Sequence, residues 1–426
     1  MTNFPNNSLS LGRGQGERGY NTHTLSNGLR IIHLPTDSEV VYCGYAINAG
    51  SRDEKPEEEG IAHFCEHMSF KGTAKLKPLQ IINKLELVGG DLNAFTTKED
   101  TFYYAAVLRQ HFHRAVELLT DIVFHSEYPQ QEIDKEVEVV CDEIESYRDS
   151  PAELIYDDFE SEIFHGHPLG HNILGESSRV RTFTTADCRH FTERLYRPDN
   201  AVFYAAGNID FAKLVKRLES ALSDIDIATE KNERKLGFCF TMPNESSKII
   251  ESETHQAHVM TGSVICESID DYRVPLYLIN NIMGGPAMNS RLNLSLRERR
   301  GLVYTVESAM MTYSDALLWT IYFGCDAHDV RRCQRLVEAE LRRLTDSALS
   351  VTALERAKRQ LKGQLALASE NRENYAIDMA KQYLHRGTLK NTERLCSSID
   401  AVKPEEIHAM MQRFFTKDKM FTLIYK

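Results

Sequence analysis

Two histidines and a glutamate lie close together in the segment His63-Phe64-Cys65-Glu66-His67. In a helix, His63 and His67, four residues apart, share one face and can bind a single metal ion. Glu66 directly precedes His67 and can reach a water molecule on that ion. The order H-x-x-E-H reverses the commoner H-E-x-x-H zinc motif. The segment therefore predicts a metal site, and a catalytic site of this kind needs a third protein ligand.

A third ligand is available on a helix predicted after Pro129. Glu136 and Glu143 are seven residues apart, two helical turns, and therefore share one face. Taken alone, the segment is better interpreted as an acidic helix exposed to water, because other carboxylates crowd it. These are Glu132, Asp134, Glu138, Asp142 and Glu145. The spacing of the two glutamates alone therefore does not identify the ligand.

The elements around these residues form a similar series in each half of the chain. The first half begins with a hairpin around Ser26-Asn27-Gly28, and an acidic loop at 53–59 leads into the His63–His67 helix. Further strands are predicted at 40–49, 91–108 (a pair joined near 98–100) and 200–206, and helices at 79–88, 111–124, 131–147, 152–164, 185–195 and 211–222. In the second half, strands are predicted at 247–266, 302–312 and 317–325, and helices at 272–284, through residue 300, 328–346 and 351–370. The parallel order indicates a duplicated domain.

The expected fold class is α+β with two related domains. Each would be a mainly antiparallel sheet with helices packed on one face, and the two would enclose a chamber. At 426 residues, the chain is too long for a single compact core. The predicted divisions are a leader at 1–20, a metal-binding domain at 21–223, a polar linker at 224–236 and a second domain without metal at 237–426.

Composition excludes several classes of function. Hydrophobic residues at 42% and charged residues at 26% describe a soluble globular protein, and the net charge of −12 argues against binding to nucleic acid. No apolar run approaches the ~20 residues of a membrane span. The nine cysteines include no C-x-x-C pair, which favours a reducing compartment. The polar first twenty residues resemble neither a signal nor a transit peptide, so we expect a bacterial cytoplasm over a mitochondrial matrix.

The metal motif resembles that of the pitrilysin family, which includes insulin-degrading enzyme and the mitochondrial processing peptidase. Glu143 follows His67 by 76 residues, the spacing of the family's third ligand, and Glu136 stands where the family has a second, supporting glutamate. The flanking segments GIAHFCEHMSFKGT and DLNAFTTKEDTFYYAAVL also resemble the processing-peptidase branch. The similarity extends over roughly residues 20–425 and makes His63, His67 and Glu143 the expected ligands.

The resemblance implies one zinc ion per chain, although two histidines and one carboxylate would also bind Mn²⁺ or Co²⁺. Zinc with these ligands stays Lewis acidic and lowers the pKa of bound water toward neutrality. Glu66 would accept the proton of that water and pass it to the leaving amine. Glu136 would assist from outside the ligand set by orienting a ligand.

Residues 289–308, NSRLNLSLRERRGLVYTVES, resemble a second element of the family, its arginine–tyrosine element. By that resemblance, Arg297 and Tyr304, seven residues apart across Gly301, would lie across the chamber from the metal, bind a substrate carbonyl and stabilise the oxyanion at the scissile bond. The alternative is a basic helix end capped by Gly301, where cations suit the helix dipole. Both interpretations can hold together.

The stretch Asn93-Ala94-Phe95-Thr96 resembles the family's exposed edge strand, to which a peptide adds by backbone pairing, and Asn93, Ala94 and Phe95 are its expected substrate-binding residues. Phe95 could equally belong to the core. The second half has no metal motif: Ala357 and Gln364 stand where the first half has Glu136 and Glu143.

The sequence thus predicts a zinc-dependent endopeptidase that hydrolyses extended peptides or small unfolded polypeptides. The alternative is a non-catalytic, peptidase-like structural or partner subunit. Some short-chain members of the family work as pairs, one subunit carrying the metal motif and the other the arginine–tyrosine element. Both elements occur in this chain, which favours a self-sufficient enzyme, and the resemblance alone implies a homodimer.

Overall fold

The computed structural model describes residues 19–225, 234, 236–237, 243, 245–251 and 255–426, and contains two sheets. Most of the predicted leader and linker lie outside these residues. The first sheet has the strand order β1-β2-β6-β3-β5-β4, with all neighbours antiparallel except β2 and β6. Its strands are β1 Asn21–Thr24, β2 Arg30–Pro35, β3 Val40–Ile47, β4 Asp91–Thr96, β5 Thr101–Leu108 and β6 Ala201–Gly207. The strand β4 is therefore an edge.

Eight helices accompany the first sheet within the described residues. They are α1 Ile61–Met68, α2 Pro78–Glu86, α3 Phe112–Phe124, α4 Gln130–Arg148, α5 Pro151–Ile163, α6 Ser177–Val180, α7 Thr185–Leu195 and α8 Phe211–Ala221. Local sequence sets several of their starts: Pro78 and Pro151 stand at first helical positions. At α7, the Thr184 hydroxyl accepts a hydrogen bond from the backbone N–H of Asp187.

The second sheet has the order β7-β11-β8-β10-β9 and is antiparallel except between β7 and β11. Its strands are β7 Ser247–Ile250, β8 Ala257–Ile265, β9 Val303–Thr312, β10 Leu317–Cys325 and β11 Phe421–Tyr425. The helices are α9 Ile269–Gly284, α10 Val330–Thr345, α11 Val351–Ala368, α12 Arg372–Arg386, α13 Thr392–Ala401 and α14 Pro404–Phe414. The two halves share the predicted α+β architecture.

The differences from the predicted elements are local. The hairpin turn is confirmed, with Gly28 at φ 91°, a left-handed conformation that favours glycine. Helix α9 begins at Ile269 rather than at residue 272, and the helix predicted through residue 300 contains a π-helix at Asn293–Glu298. The sequence predicted no element after residue 370, where α12, α13, α14 and β11 follow. None of the described helices combines the length and apolar character needed to cross a membrane.

Alternation along the strands gives each sheet two apolar faces. On β3, Val41 and Tyr45 face the core shared with α1, α3 and α4, whereas Ala46 faces the opposite side. On β10, Trp319 and Phe323 face the core shared with α9 and α10. Helices of its own half therefore cover one face of each sheet, as predicted.

The second face of each sheet is covered by a helix from the other half. Helix α12 packs Ala376, Met379 and Ala380, all fully buried, on the first sheet. Helix α5 of the first half packs Ile155 and Phe159 on the second sheet. The sequence did not predict this exchange, which interlocks the two halves through apolar contacts.

Polar contacts join the halves where two hairpin turns meet. Arg52, in a 3-10 turn nine residues before α1, donates to Glu99 Oε1 at 2.7 Å and to both carboxylate oxygens of Asp315 at 2.6 Å. The backbone N–H of Ser314 donates to Glu99 Oε2 at 2.9 Å. Glu99 lies in the turn between β4 and β5, and Asp315 in the turn between β9 and β10. The tip of each edge hairpin is thus fixed against the other half.

Candidate active site

Helix α1 presents the metal motif because its other face is buried. Ile61, Phe64 and Cys65 are fully buried in the first core. The carboxylate of Glu54 accepts hydrogen bonds from the backbone N–H groups of Gly60 and Ala62, at 3.0 and 2.9 Å. These bonds satisfy donors that every helix start leaves unpaired. The helix is thereby fixed at its first turn, directly before His63.

The predicted ligands converge. Glu143 on α4 places one carboxylate oxygen 3.8 Å from Nε2 of His63 and the other 3.4 Å from Nε2 of His67. The three donor atoms all lie within 4.8 Å of one another. A tetrahedral zinc ion with bonds of about 2.1 Å holds its ligands roughly 3.4 Å apart, so the residues fit such an ion. The other convergent group in the described chain, Asp326, His328 and Asp329, lies on a surface turn.

The two histidines differ in their surroundings. Burial lowers the pKa of His63 to about 3, with a contribution from the neighbouring His67, so this imidazole is neutral and able to ligate. Its Nδ1 is buried and has no hydrogen-bond partner in the described part of the chain. For His67, burial works against protonation, but the hydrogen bond to Glu136 and the nearby carboxylates outweigh it and raise the pKa.

Glu136 lies beside His67, one of the predicted ligands. Nδ1–H of His67 donates to Glu136 Oε1 at 3.1 Å, which directs Nε2 toward Glu143. The other oxygen of Glu136 lies 2.6 Å from Nζ of Lys71. Burial alone would raise the pKa of Glu136, but these two partners lower it. No sequence pattern indicated a role for Lys71.

Glu66 and the edge strand meet at one hydrogen bond. The Thr96 hydroxyl, at the end of β4, donates to Glu66 Oε2 at 2.6 Å. Burial raises the pKa of Glu66, although the bond from Thr96 acts in the opposite direction. The predicted edge strand includes Thr96 but gives it no role in the site, and the signal for one is its place two residues after Ala94. With alternation along β4, Ala94 faces the same side as Thr96.

The other two predicted edge residues face away from α1. The side chain of Asn93 is exposed and donates to Asp91 at 3.1 Å. Phe95 stacks on Phe102 at 4.9 Å, next to the core covered by α12. Packing is thus one role of Phe95. The outer edge of β4 pairs with no other strand of the described chain.

The arginine–tyrosine element lies at the opposite end of β9 from the hairpin tip. Arg297 is exposed on the π-helix, and Tyr304 is 70% exposed on β9. Tyr304 stands about 26 Å along the strand from Thr312, which lies next to the hairpin tip, at 3.3 Å per residue. The same strand also contacts the first half at Glu307, which accepts a hydrogen bond from the Tyr156 hydroxyl of α5. Among the described residues, no hydrogen bond or ion pair joins either side chain to His63, His67 or Glu143.

Both halves of the chain match models of one protein family. The family model described as insulinase, peptidase family M16, matches residues 31–177, and the model of the M16 inactive domain matches residues 182–361. An uncharacterised zinc protease of Bacillus subtilis is 33% identical over 94% of this chain and 97% of its own length. This chain belongs to peptidase family M16. A Streptomyces coelicolor protein, also named an uncharacterised zinc protease, is 31% identical over 93% of this chain and 88% of its own length.

Solved structures show that the M16 fold extends over nearly the whole chain. A protease from Helicobacter pylori superposes with a TM-score of 0.87 and 20% identity, and the match covers 96% of this chain and 99% of the other. A Pseudomonas fluorescens structure described as an M16 inactive domain also gives 0.87, with 18% identity and coverage of 96% and 97%. The predicted ligands His63, His67 and Glu143 lie in the region that matches the insulinase model. Arg297 and Tyr304 lie in the region that matches the inactive-domain model.

Proposed function

We propose that the chain is a zinc-dependent endopeptidase that hydrolyses extended peptides or small unfolded polypeptides. The observation that carries the proposal is the convergence of His63, His67 and Glu143 beside the carboxylate of Glu66. When bound, zinc supplies Lewis acidity and makes water more acidic. Relatives named zinc proteases support the general activity, whereas the substrate class rests on the site itself.

The protein's own residues divide the remaining work. Glu66 accepts the proton of the attacking water on its carboxylate and transfers it to the leaving amine. The Thr96 hydroxyl holds Oε2 of that carboxylate, so Glu66 cannot rotate freely. Glu136 orients His67 through Nδ1. Together these contacts hold the base and one ligand in position before substrate arrives.

The edge of β4 is the proposed substrate-binding element. An extended peptide can add to its free backbone groups as a further strand, with Asn93, Ala94 and Phe95 as the pairing residues. Because β4 ends at Thr96, whose hydroxyl bonds to Glu66, a peptide paired with β4 passes the base. Backbone pairing selects an extended shape over a particular sequence, which is the basis for proposing unfolded substrates.

The substitution Glu66→Gln tests this function. We expect the variant to retain zinc, because Glu66 is not a ligand, and to lose cleavage of a quenched peptide by about a thousandfold or more. Glu138→Gln, the same chemical change at an exposed position on α4, is the matched control. A chelator should abolish wild-type cleavage, and added zinc should restore it. Full activity of Glu66→Gln would refute the mechanism, and a wild type without zinc or cleavage would support the non-catalytic alternative.

We further propose that Arg297 and Tyr304 act on the site of a second copy in a homodimer. Their exposure and their distance from the hairpin tip support this arrangement. Mixing Glu66→Gln with Tyr304→Phe tests it, since each variant alone lacks one component of every site. After random subunit exchange, half the dimers are mixed and each contains one complete site, giving about a quarter of wild-type activity. No recovery after exchange, or a monomer of 48.7 kDa by light scattering, would contradict it.

A further inference from the structure

A lysine outside the ligand set contacts the glutamate that orients His67. Lys71 Nζ lies 2.6 Å from Glu136 Oε2, while Oε1 of the same carboxylate accepts from His67 at 3.1 Å. The Glu136 side chain is only 7% exposed, and that of Lys71 29%. Both oxygens of one buried carboxylate are thus engaged, one by a cation and one by an imidazole.

The backbone after α1 places Lys71 there. Ser69 donates its hydroxyl to Cys65 O at 2.8 Å, and the backbone N–H of Lys71 donates to Met68 O at 3.0 Å. Gly72 follows at φ 139°, a conformation that other residues rarely adopt. The chain therefore turns at the end of the helix, and the lysine side chain reaches Glu136 on α4.

The support of the two histidine ligands is unequal. His67 has a partner for Nδ1, and that partner is itself held by Lys71. His63 Nδ1 is buried without a partner among the described residues. Partners outside the ligand set fix ring orientation and commonly change metal affinity by ~10- to 100-fold when removed. The orientation of His67 therefore depends on the series from Lys71 through Glu136 to Nδ1 of His67.

We propose that Lys71 is a positioning residue for metal binding, acting through Glu136 to hold His67 in its ligating orientation. The proposal rests on the proposed function, because it presumes that His63, His67 and Glu143 bind zinc. Without the lysine, Oε2 of Glu136 loses its ion pair and the carboxylate can rotate away from Nδ1. His67 then samples orientations that do not bind metal, and affinity falls.

The experiment measures the zinc dissociation constant of the full chain by competition with a chromophoric chelator. We expect Lys71→Met to weaken zinc binding by about tenfold, and Lys71→Arg to stay within about threefold of wild type. Lys75→Met is the matched control, because Lys75 lies in the same loop with a 75% exposed side chain. Melting of the metal-free proteins checks that each variant folds, and Lys71→Gln replaces Lys71→Met if the latter does not.

A double-substitution cycle tests the route through Glu136. If Lys71 acts through Glu136, then Lys71→Met should change zinc affinity by less than about twofold in a Glu136→Gln background. An equal loss in both backgrounds would overturn the route, and wild-type affinity in Lys71→Met would overturn the inference. A wild-type protein that binds no zinc would refute the proposed function. Normal zinc binding and cleavage in both the wild type and Lys71→Met would refute only the role of Lys71.

Discussion

Removing Arg52 should destabilise the junction between the halves more than any exposed ion pair could. The Arg52 side chain is 1% exposed, Glu99 is 4% and Asp315 is 14%. In Arg52→Met, the hydrophobic stem is roughly preserved while the guanidinium is lost. The two carboxylates then remain near the interior without their shared cation, and desolvated anions of this kind are costly.

The structure sets the size of the effect. Breaking a buried ion pair by removing one partner costs about 3–5 kcal/mol. Glu99 keeps the N–H of Ser314 at 2.9 Å and the guanidinium of Arg234 at 3.4 Å, and Asp315 keeps the N–H of Gly237 at 3.0 Å. These remaining partners place the expected loss at the lower end, about 3 kcal/mol in free energy of unfolding.

Urea unfolding measures this loss with two independent probes. Trp319, the single tryptophan, is fully buried on β10 and reports the second half by fluorescence, while far-UV circular dichroism reports the whole chain. The matched control is Arg109→Met, whose partner Glu39 is 67% exposed at 3.3 Å. Exposed pairs contribute about 0–1 kcal/mol, so the control should unfold almost as the wild type does. The reasoning would be refuted if the free energy of unfolding of Arg52→Met lay within about 0.5 kcal/mol of the wild-type value. It would also be refuted if Arg52→Met and Arg109→Met lost equal stability.

Two further predictions concern the base and the exchanged helix. Thr96→Val should keep the zinc content and lower kcat by about tenfold or more, because the hydrogen bond from Thr96 to the buried carboxylate of Glu66 is lost. Steady-state kinetics and metal analysis measure these two quantities. An unchanged kcat would show that Thr96 has no role in the site. Met379→Ala should lower the free energy of unfolding by about 2–5 kcal/mol, because loss of this fully buried side chain of α12 leaves a cavity against the first sheet. Leu367→Ala is the control: the Leu367 side chain is 77% exposed, so the free energy of unfolding should change little. Equal urea midpoints for the two variants would contradict the packing role of α12.

The metal site was largely predictable from sequence because its main geometry is local. The spacing of His63 and His67 places both on one face of any helix, and the same holds for Glu136 and Glu143. Periodicity could not choose Glu143 over the other acidic residues of α4, so that assignment depended on the resemblance. The structure adds the reason that Glu143 is suited to the role: its two oxygens approach Nε2 of both histidines.

Contacts between segments distant in sequence were decided only by tertiary packing. Thr96 reaches Glu66 across 30 residues, and Lys71 reaches Glu136 across 65 residues. No local pattern encodes these pairs, because each depends on how a loop or strand end packs beside a helix of another element. The exchange of α5 and α12 has the same cause: an amphipathic helix specifies that one face must be buried, but not which sheet buries it. The sequence thus determined the candidate ligands and the helices that carry them, and the packing of the two halves decided which residues hold them in place.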